Sequence, residues 1–332
     1  MQGQWDHKIF TIEPGELVPA ALELFHYQYA NNPLYREYAD ALHIKVPHVQ
    51  SIEEIPFLPI SVFKTHEVKT GLIDTPVVFE SSGTTGMLPS RHYVKDSSLY
   101  ESSFLEGFRL FYGDLQQFCV IGLLPSYLER KNSSLVYMVN EWIRQSKHPK
   151  SGFYLNEFDK LSDVLKELED SAQQTILIGV GFALLDFAQQ FSFPLNHTII
   201  METGGMKGRR QEMLREELHN HLKNAFKVSH IHSEYGMTEL LSQAYSKGGG
   251  IFHCPPWMKV LIRDEDDPQV VHSTTSDHSI TGAINIIDLA NIHSCSFIAT
   301  DDAGRLHPDG SFEVLGRLDN SDVRGCSLLV AQ

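Results

Sequence analysis

The chain has 332 residues, 42% of them hydrophobic, and a formal net charge of −15. The apolar fraction is enough for a sizeable core and argues against wholesale disorder. The acidic balance argues against nucleic acid as the main partner, since neutralising phosphates takes clustered Lys and Arg, and against docking on an anionic membrane surface.

No apolar run approaches the length of a membrane span. The start, MQGQWDHKIF, lacks the basic-then-apolar pattern of a secretory signal. Cys119, Cys254, Cys295 and Cys326 show no paired spacing, which suits a reducing cytoplasm better than a disulfide framework. Seventeen histidines occur without a His-Glu-x-x-His or other zinc pattern, so no structural metal is predicted.

In chain order, residues 11–44 read as helical, with Leu22, Leu24, Phe25 and Tyr29 near helical spacing and Asn31-Asn32-Pro33 as punctuation. Pro47, Pro56 and Pro59 predict an extended connection. The apolar Val77-Val78-Phe79 then runs into Glu80-Ser81-Ser82-Gly83-Thr84-Thr85-Gly86, and His92-Tyr93-Val94 is its hairpin partner. Four hydroxyls and two glycines after a strand can present donors to a phosphate, because glycine lets the backbone turn tightly against a ligand. No Lys-Ser or Lys-Thr follows, so this is not a Walker A loop, and an ordinary polar turn stays open as the alternative.

A helix is expected over 96–112, capped by Asp96, with Leu99, Phe104, Phe108 and Phe111 facing a core. Buried strands follow at 118–124, 175–180 and 198–201, separated by helices at 135–143, 157–173 and 183–191. This alternation predicts an α/β architecture with a largely parallel sheet. Such sheets bind ligands outside the carboxyl ends of their strands, which makes Glu202-Thr203-Gly204-Gly205-Met206 a second candidate loop. A helix over 210–226 puts Leu214, Leu218, Leu222 and Phe226 in one core stripe, and His219 and His221 are expected on its surface. Residues 233–239, Ser-Glu-Tyr-Gly-Met-Thr-Glu, read as a third polar loop. The last third, with short strands at 260–262, 282–287, 296–299 and 312–315, reads as β-rich.

Taken together, Ser81-Ser82-Gly83-Thr84-Thr85-Gly86, Tyr235-Gly236-Met237-Thr238-Glu239 and Thr300-Asp301-Asp302 with Gly316-Arg317 resemble, in order and rough spacing, the adenylate-forming superfamily of acyl-CoA ligases, luciferases and peptide-synthetase adenylation domains. The Gly204-Gly205 turn resembles its adenine-site loop. The segment Glu202-Thr203-Gly204-Gly205-Met206-Lys207-Gly208-Arg209 and the ending Arg324-Gly325-Cys326-Ser327-Leu328 narrow the likeness to the acyl-protein synthetases of the LuxE family, over nearly the whole chain. That family is the fatty-acid-activating component of bacterial bioluminescence operons. The resemblance implies an α/β fold, the large N-terminal domain of an adenylate-forming enzyme with mixed parallel sheets. Residues 1–332 then form one adenylation domain: a helical part at 1–75, an α/β core at 76–245, and a β-rich subdomain with a C-terminal tail at 246–332. The chain stops soon after Arg317, so the superfamily's small mobile domain, with its catalytic lysine, is expected to be absent.

The resemblance also implies roles. ATP and Mg²⁺ are the expected cofactors, and a carboxylate attacks the α-phosphate to give acyl-AMP and pyrophosphate. Ser81, Ser82, Thr84 and Thr85, in the turn shaped by Gly83 and Gly86, match the residues that hold the β- and γ-phosphates. Thr238 matches the α-phosphate contact and Glu239 the magnesium ligand, a carboxylate suiting that hard cation. Asp302 matches the ribose carboxylate, and Arg317 lies near ribose or phosphate. Gly204, Gly205, Tyr235 and Gly236 flank adenine. His253 falls where relatives place acyl-pocket residues, and a structural histidine is an equal alternative there. Met87-Leu88-Pro89 stands where many relatives carry a lysine, with Arg91 and Lys95 the nearest cations. Relatives' Thr-Gly-Asp is here Thr300-Asp301-Asp302.

In the resembled family the acyl group passes from AMP to a cysteine near the C-terminus and then to a reductase partner. Cys326 matches by position and neighbours, with Arg324 able to lower the thiol pKa. A plain terminal strand is the other reading of that cysteine. Two further alternatives stand beside the acyl-enzyme reading: transfer to coenzyme A or a carrier protein, and a non-catalytic nucleotide-binding scaffold.

Overall fold

The computed structural model describes residues 8–13, 15–73, 77–81, 88–125, 132–155, 157–204, 213–273 and 277–318. A 3₁₀ turn at Ile9–Thr11 precedes helices α1 (Leu17–Asn31) and α2 (Pro33–Ala41). Asn32 divides the two helices. Its extended backbone ends α1, its side-chain oxygen accepts from the Tyr35 amide, and Pro33 occupies a first-turn position where no amide proton is needed. The proline-marked connection is not extended throughout: 3₁₀ turns at Val46–His48 and Ile52–Glu54 come before strand β1 (Leu58–Pro59) and the one-turn helix α3 (Val62–Thr65).

Strands β2 (Val77–Glu80) and β3 (Arg91–Val94) form the expected hairpin, with Phe79 opposite His92 and Glu80 opposite Arg91. Helix α4 (Ser97–Tyr112) starts at Asp96, whose carboxylate accepts from the Ser98 amide at 2.8 Å. Leu99, Phe104 and Phe108 are buried beneath it, and Phe111 is half-buried.

Next come β4 (Cys119–Leu123), α5 (Ser134–Ser146), β5 (Gly152–Phe153), α6 (Phe158–Asp170), β6 (Thr175–Gly179), α7 (Gly181–Gln190), β7 (Thr198–Thr203), α8 (Arg215–Phe226), β8 (His232–Tyr235) and β9 (Ala244–Ser246). Their sheet runs β5-β4-β6-β7-β8-β9, parallel except for β9. Every residue of β4 and β6 is buried, as expected for strands covered on both faces and written as unbroken apolar runs. At Gly122 a Cβ would lie 2.6 Å from the Phe153 ring, so only glycine lets β5 close against β4 there.

Several expectations change at the end of this sheet. The stripe on α8 buries Leu218, Leu222 and Phe226, but Leu214 precedes the helix and is 77% exposed. His219 is buried against Glu202 rather than on the surface. Ser233, Glu234 and Tyr235 belong to buried strand β8, so the third loop begins only at Gly236. The helix predicted from residue 210 begins at Arg215, and residues 205–212 lie outside the described part of the chain.

The remaining strands are β10 (Ile251–Phe252), β11 (Met258–Arg263), β12 (Val271–His272), β13 (Ile280–Asp288), β14 (Phe297–Leu306) and β15 (Phe312–Arg317). They build a second sheet in the order β10-β15-β14-β13-β11-β12. β13 and β14 are long rather than short, and β14 runs past the expected strand end at 299 through Thr300, Asp301 and Asp302. One edge of β14 changes partner midway. β1 pairs with it in parallel at Ile298 and Ala299, and β15 takes over from Asp302. The N-terminal helices pack on this sheet, with the Tyr35 ring stacked on Phe297 and Phe25 edge-on to both.

Gln28 on α1 is buried and joins helix to sheet. Its amide donates to the carbonyls of Asn291 and Ile292, and its oxygen accepts from the Ser296 amide at 2.9 Å. Replacing Gln28 by Leu takes this partner from the Ile292 carbonyl and the Ser296 amide and leaves the Asn291 carbonyl with the Ser294 amide, and should cost about 2–4 kcal/mol of stability in denaturant unfolding.

Candidate functional site

Successive side chains on a strand face opposite ways, so Glu234 and Tyr235 of β8 point to different sides of the parallel sheet. Tyr235 faces the second sheet. Its hydroxyl donates to Asp302 Oδ2 at 2.8 Å, and its ring lies edge-on to Phe252 and Phe312. Asp302 sits opposite Arg317 where β15 joins β14, with Arg317 Nε 3.4 Å from Oδ1. The Asp302 amide donates to Thr300 Oγ1, and the Thr300 carbonyl accepts from the Arg263 guanidinium at 2.6 Å. Asp302 is nearly buried while the Arg317 side chain is 79% exposed. Burial raises the Asp302 pKa, with Arg317 and the Tyr235 hydroxyl opposing. Asp301 points to the other face of β14 and lies in the field of Arg263. Asp302 is therefore the carboxylate joined to Tyr235.

The loop after β8 is tied down from below. A Cβ on Gly236 would fall 2.4 Å from Glu234 Oε1, so glycine lets the chain cross that carboxyl. The Asp288 carboxylate, fully buried at the end of β13, accepts from the amides of Leu241 (2.8 Å), Ser242 (3.0 Å) and Ala290 (3.1 Å) and from the Ser242 hydroxyl (2.6 Å). The Thr238 carbonyl accepts from His92 Nδ1 at 2.8 Å, and the Glu239 carbonyl from the Asn291 amide at 2.7 Å. His92 Nε2 lies 2.9 Å from Asn291 Oδ1. Burial pulls the His92 pKa down to about 4.

Glu239 is buried, which raises its pKa against the pull of the Ser90 hydroxyl, Arg317 and Lys64. Arg317 thus acts on both Asp302 and Glu239, placing the two carboxylates in one neighbourhood. Among the described residues, no group of three or more His, Cys, Asp or Glu could hold a metal by itself. One carboxylate beside a hydroxyl does fit Mg²⁺, which takes hard oxygen donors and completes its shell with water and phosphate oxygens.

On the opposite face of β8, Glu234 accepts from the Thr203 hydroxyl and is fully buried. Burial raises its pKa to about 7, with Glu202 adding to the rise and Thr203 opposing. Glu202 lies 3.8 Å from His219 Nε2 and 3.9 Å from Arg215 Nε. Arg215 also donates to the Val314 carbonyl of β15 and covers the Phe252 ring, linking the two sheets.

The structure brings Tyr235, Asp302, Arg317 and Glu239 together, with Thr238 and Gly236 on the same loop. Gly204, at φ +65, turns the chain out of β7. Ser81 closes the mouth of the β2–β3 hairpin: its amide donates to the Ser90 carbonyl, and its hydroxyl accepts from the Ser90 amide at 2.8 Å. Ser82, Gly83, Thr84, Thr85, Gly86, Gly205 and Cys326 lie outside the described residues. His253 follows Phe252, whose ring meets Tyr235. It is exposed, pairs through its backbone with Tyr245, and neighbours Asp309 at the far turn of the β14–β15 hairpin. Arg91 and Lys95 are exposed, and Lys64 of α3 is the lysine whose field reaches Glu239. Cys119 and Cys295 are core residues and Cys254 is half-buried. Sequence reading passed over His92, Asn291, Glu234 and Asp288. For His92 the available signal was a polar residue beside Tyr93 and Val94 in a strand whose hairpin partner carries Phe79 opposite it.

A parallel sheet and an antiparallel sheet meeting over Tyr235 and Asp302 form the architecture of adenylate-forming enzymes. ATP-bound MatB from Rhodopseudomonas palustris superimposes with a TM-score of 0.54 at 15% identity, over 86% of this chain and 58% of that one. A 2-hydroxyisobutyryl-CoA ligase in complex with 2-HIB-AMP gives a TM-score of 0.61 at 12% identity, over 91% and 67%. The chain thus spans little more than half the length of the MatB structure. The model of the acyl-protein synthetase LuxE family matches residues 17–332, and the chain belongs to that family, making it an enzyme of the ligase class. It is similar to a long-chain-fatty-acid–luciferin-component ligase of Aliivibrio fischeri, 25% identical over 93% of this chain and 86% of the relative.

Glu234 has a consequence for pH. The free carboxyl titrates near 4.5 and the buried one at about 7. Between those values the folded chain keeps a proton that the unfolded chain has released. Stability present below pH 4.5 is therefore lost as pH rises through 7, by about 3 kcal/mol. Glu234→Gln should remove that loss, so variant and wild type diverge in urea unfolding at about pH 8 and converge at about pH 4.

Proposed function

We propose that the protein activates a long-chain fatty acid with ATP and then carries the acyl group as a thioester on Cys326 for delivery to a partner such as an acyl reductase or carrier. The reading rests on family membership and on one structural observation: a nearly buried Asp302, bonded to Tyr235 and bridged by exposed Arg317, beside the buried carboxyl of Glu239. A vicinal diol suits the free acceptor capacity of Asp302, and Arg317 has exposed donors for ribose or phosphate oxygens. The name of the Aliivibrio fischeri relative supports the choice of a long-chain acid. The adenylate held by the 2-hydroxyisobutyryl-CoA ligase supports an acyl-AMP intermediate.

In this reading the substrate carboxylate attacks the α-phosphorus of ATP and pyrophosphate leaves, giving acyl-AMP. Residues 81–86 cradle the β- and γ-phosphates through amides and hydroxyls, and Thr238 contacts the α-phosphate. Glu239, with Ser90 beside it, would hold Mg²⁺, which would supply charge neutralisation on the phosphates. Gly204, Gly205 and Gly236 leave room for adenine near Tyr235. The Cys326 thiolate then attacks the acyl carbonyl carbon, and AMP leaves with the C–O bond electrons. The reaction belongs in a reducing compartment such as the cytoplasm, where that thiol stays free.

The test is incubation of the full chain with ATP, Mg²⁺ and a radiolabelled long-chain fatty acid, followed by a denaturing gel. A hydroxylamine-labile band that disappears in Cys326→Ala is expected. Acyl-AMP without a labelled band moves the acceptor to an external thiol, and no pyrophosphate release with any chain length overturns the reading. Asp302→Asn and Glu239→Gln should each slow acid-dependent ATP–pyrophosphate exchange about 100-fold with thermal unfolding preserved. Thr84→Ala with Thr85→Ala should slow pyrophosphate release in the same assay.

A further inference from the structure

His92 has no counterpart among the motif residues, yet it joins three of the elements that form the site. It lies on β3, the strand that leaves the loop of residues 82–87, and pairs across the hairpin with Phe79. It is 0% exposed, and the Phe63 ring of α3 meets it edge-on at 5.9 Å. Nδ1 donates to the carbonyl of Thr238 at 2.8 Å. Nε2 lies 2.9 Å from Asn291 Oδ1, to which it donates only when the ring carries both protons, and the same Asn291 side chain donates to the carbonyl of Glu239 at 2.7 Å. Asn291 is itself anchored: its 3₁₀ turn, Leu289–Asn291, is capped by Asp288, and its own carbonyl accepts from Gln28 of α1.

Two consecutive peptide carbonyls, at Thr238 and Glu239, are therefore gripped by one imidazole–amide pair. Fixing a residue's carbonyl on a buried partner fixes its ψ and, with it, the direction of its own Cα–Cβ bond and of the next. Nothing else among the described hydrogen bonds reaches these two carbonyls. Ser90, which closes the hairpin on Ser81, lies near enough for its hydroxyl to lower the Glu239 pKa. A water-filled or apolar site at His92 would leave the Thr238–Glu239 backbone free to rotate its two side chains away from a common ligand.

We propose that His92, acting with Asn291, is a positioning residue for adenylation. It holds the Thr238 hydroxyl and the Glu239 carboxylate in one register, so that the two would act on the same magnesium–phosphate group. The inference rests on the adenylating reading of the site. His92 touches no substrate, so its effect is carried through the two carbonyls.

The experiment is acid-dependent ATP–pyrophosphate exchange by the full chain, titrated separately with Mg²⁺, ATP and fatty acid, on wild type, His92→Leu and His92→Asn. His92→Leu keeps the apolar volume but gives up the donor; in His92→Asn the amide nitrogen replaces Nδ1. The leucine variant should lose about 10- to 100-fold in kcat and need correspondingly more Mg²⁺ for half-saturation, with KM for the fatty acid unchanged. The asparagine variant should recover most of that loss. Thermal unfolding of each variant separates positioning from folding: the proposal requires the asparagine variant to regain exchange beyond what any regained stability provides. Wild-type kinetics and Mg²⁺ dependence in folded His92→Leu overturn it. So does an equal loss in both variants that follows their melting temperatures. Absence of exchange in wild-type protein overturns the adenylating reading, and the positioning role with it, which distinguishes that failure from the other two.

Discussion

Four hydrogen bonds to one buried carboxylate hold the centre of this molecule together. Asp288 sits at the end of β13 and collects the amides of Leu241, Ser242 and Ala290 and the Ser242 hydroxyl. Burial raises its pKa, and each of these donors lowers it again. A carboxylate stays ionised inside a protein when it accepts several hydrogen bonds. Ser242 also accepts from the Trp257 indole at 3.1 Å and lies 3.0 Å from the Ser103 hydroxyl of α4. Through this one side chain the loop after β8, the turn that carries Asn291, strand β13 and helix α4 keep fixed relative positions.

The second constraint is the meeting of two sheets over a single aspartate. β8 delivers Tyr235 from the parallel sheet, and β14 delivers Asp302 from the antiparallel one. Asp302 falls where β14 changes partner from β1 to β15, so it lies beside the last residue of β15 rather than within a continuous ladder. That position leaves Arg317 exposed above it. Arg215 ties the same corner from the other side by donating to Val314 while lying near Glu202. The polar contacts at this corner hold functional groups at a join between two rigid sheets, where a ligand can reach them.

Buried acids are unusually dense around this corner, and each is accommodated differently. Asp288 is satisfied by donors and Asp302 shares Tyr235 and Arg317. Glu234 retains its proton to near neutrality. Glu239 has the Ser90 hydroxyl and only the more distant fields of Arg317 and Lys64. Of the four, Asp302 and Glu239 are the two that lie in the field of a cation, and they share Arg317. A hard divalent cation shared with phosphate oxygens is the natural complement to such a carboxylate.

Periodicity alone located most of the elements. The apolar runs of β4, β6 and β7 are buried on both faces and flank helices with clear stripes, so local pattern and tertiary role agree. The hairpin of β2 and β3 and the Asp96 cap were legible for the same reason. Misreadings came where tertiary contacts overrode local polarity: Ser233-Glu234-Tyr235 and Thr300-Asp301-Asp302 look like loop composition but are strand, because their polar atoms find partners across the sheets. His219 reads as a surface histidine until Glu202 is seen behind it, and Leu214 fits the stripe by spacing but precedes the helix. The sequence by itself determined the alternating α/β order, the family likeness and the residue types of the site. Only the tertiary structure showed which aspartate meets Tyr235, and that His92 and Asn291 donate to the Thr238 and Glu239 carbonyls. Those are pairings across some 50 to 200 positions of chain, formed by how the two sheets meet, and no local pattern encodes them.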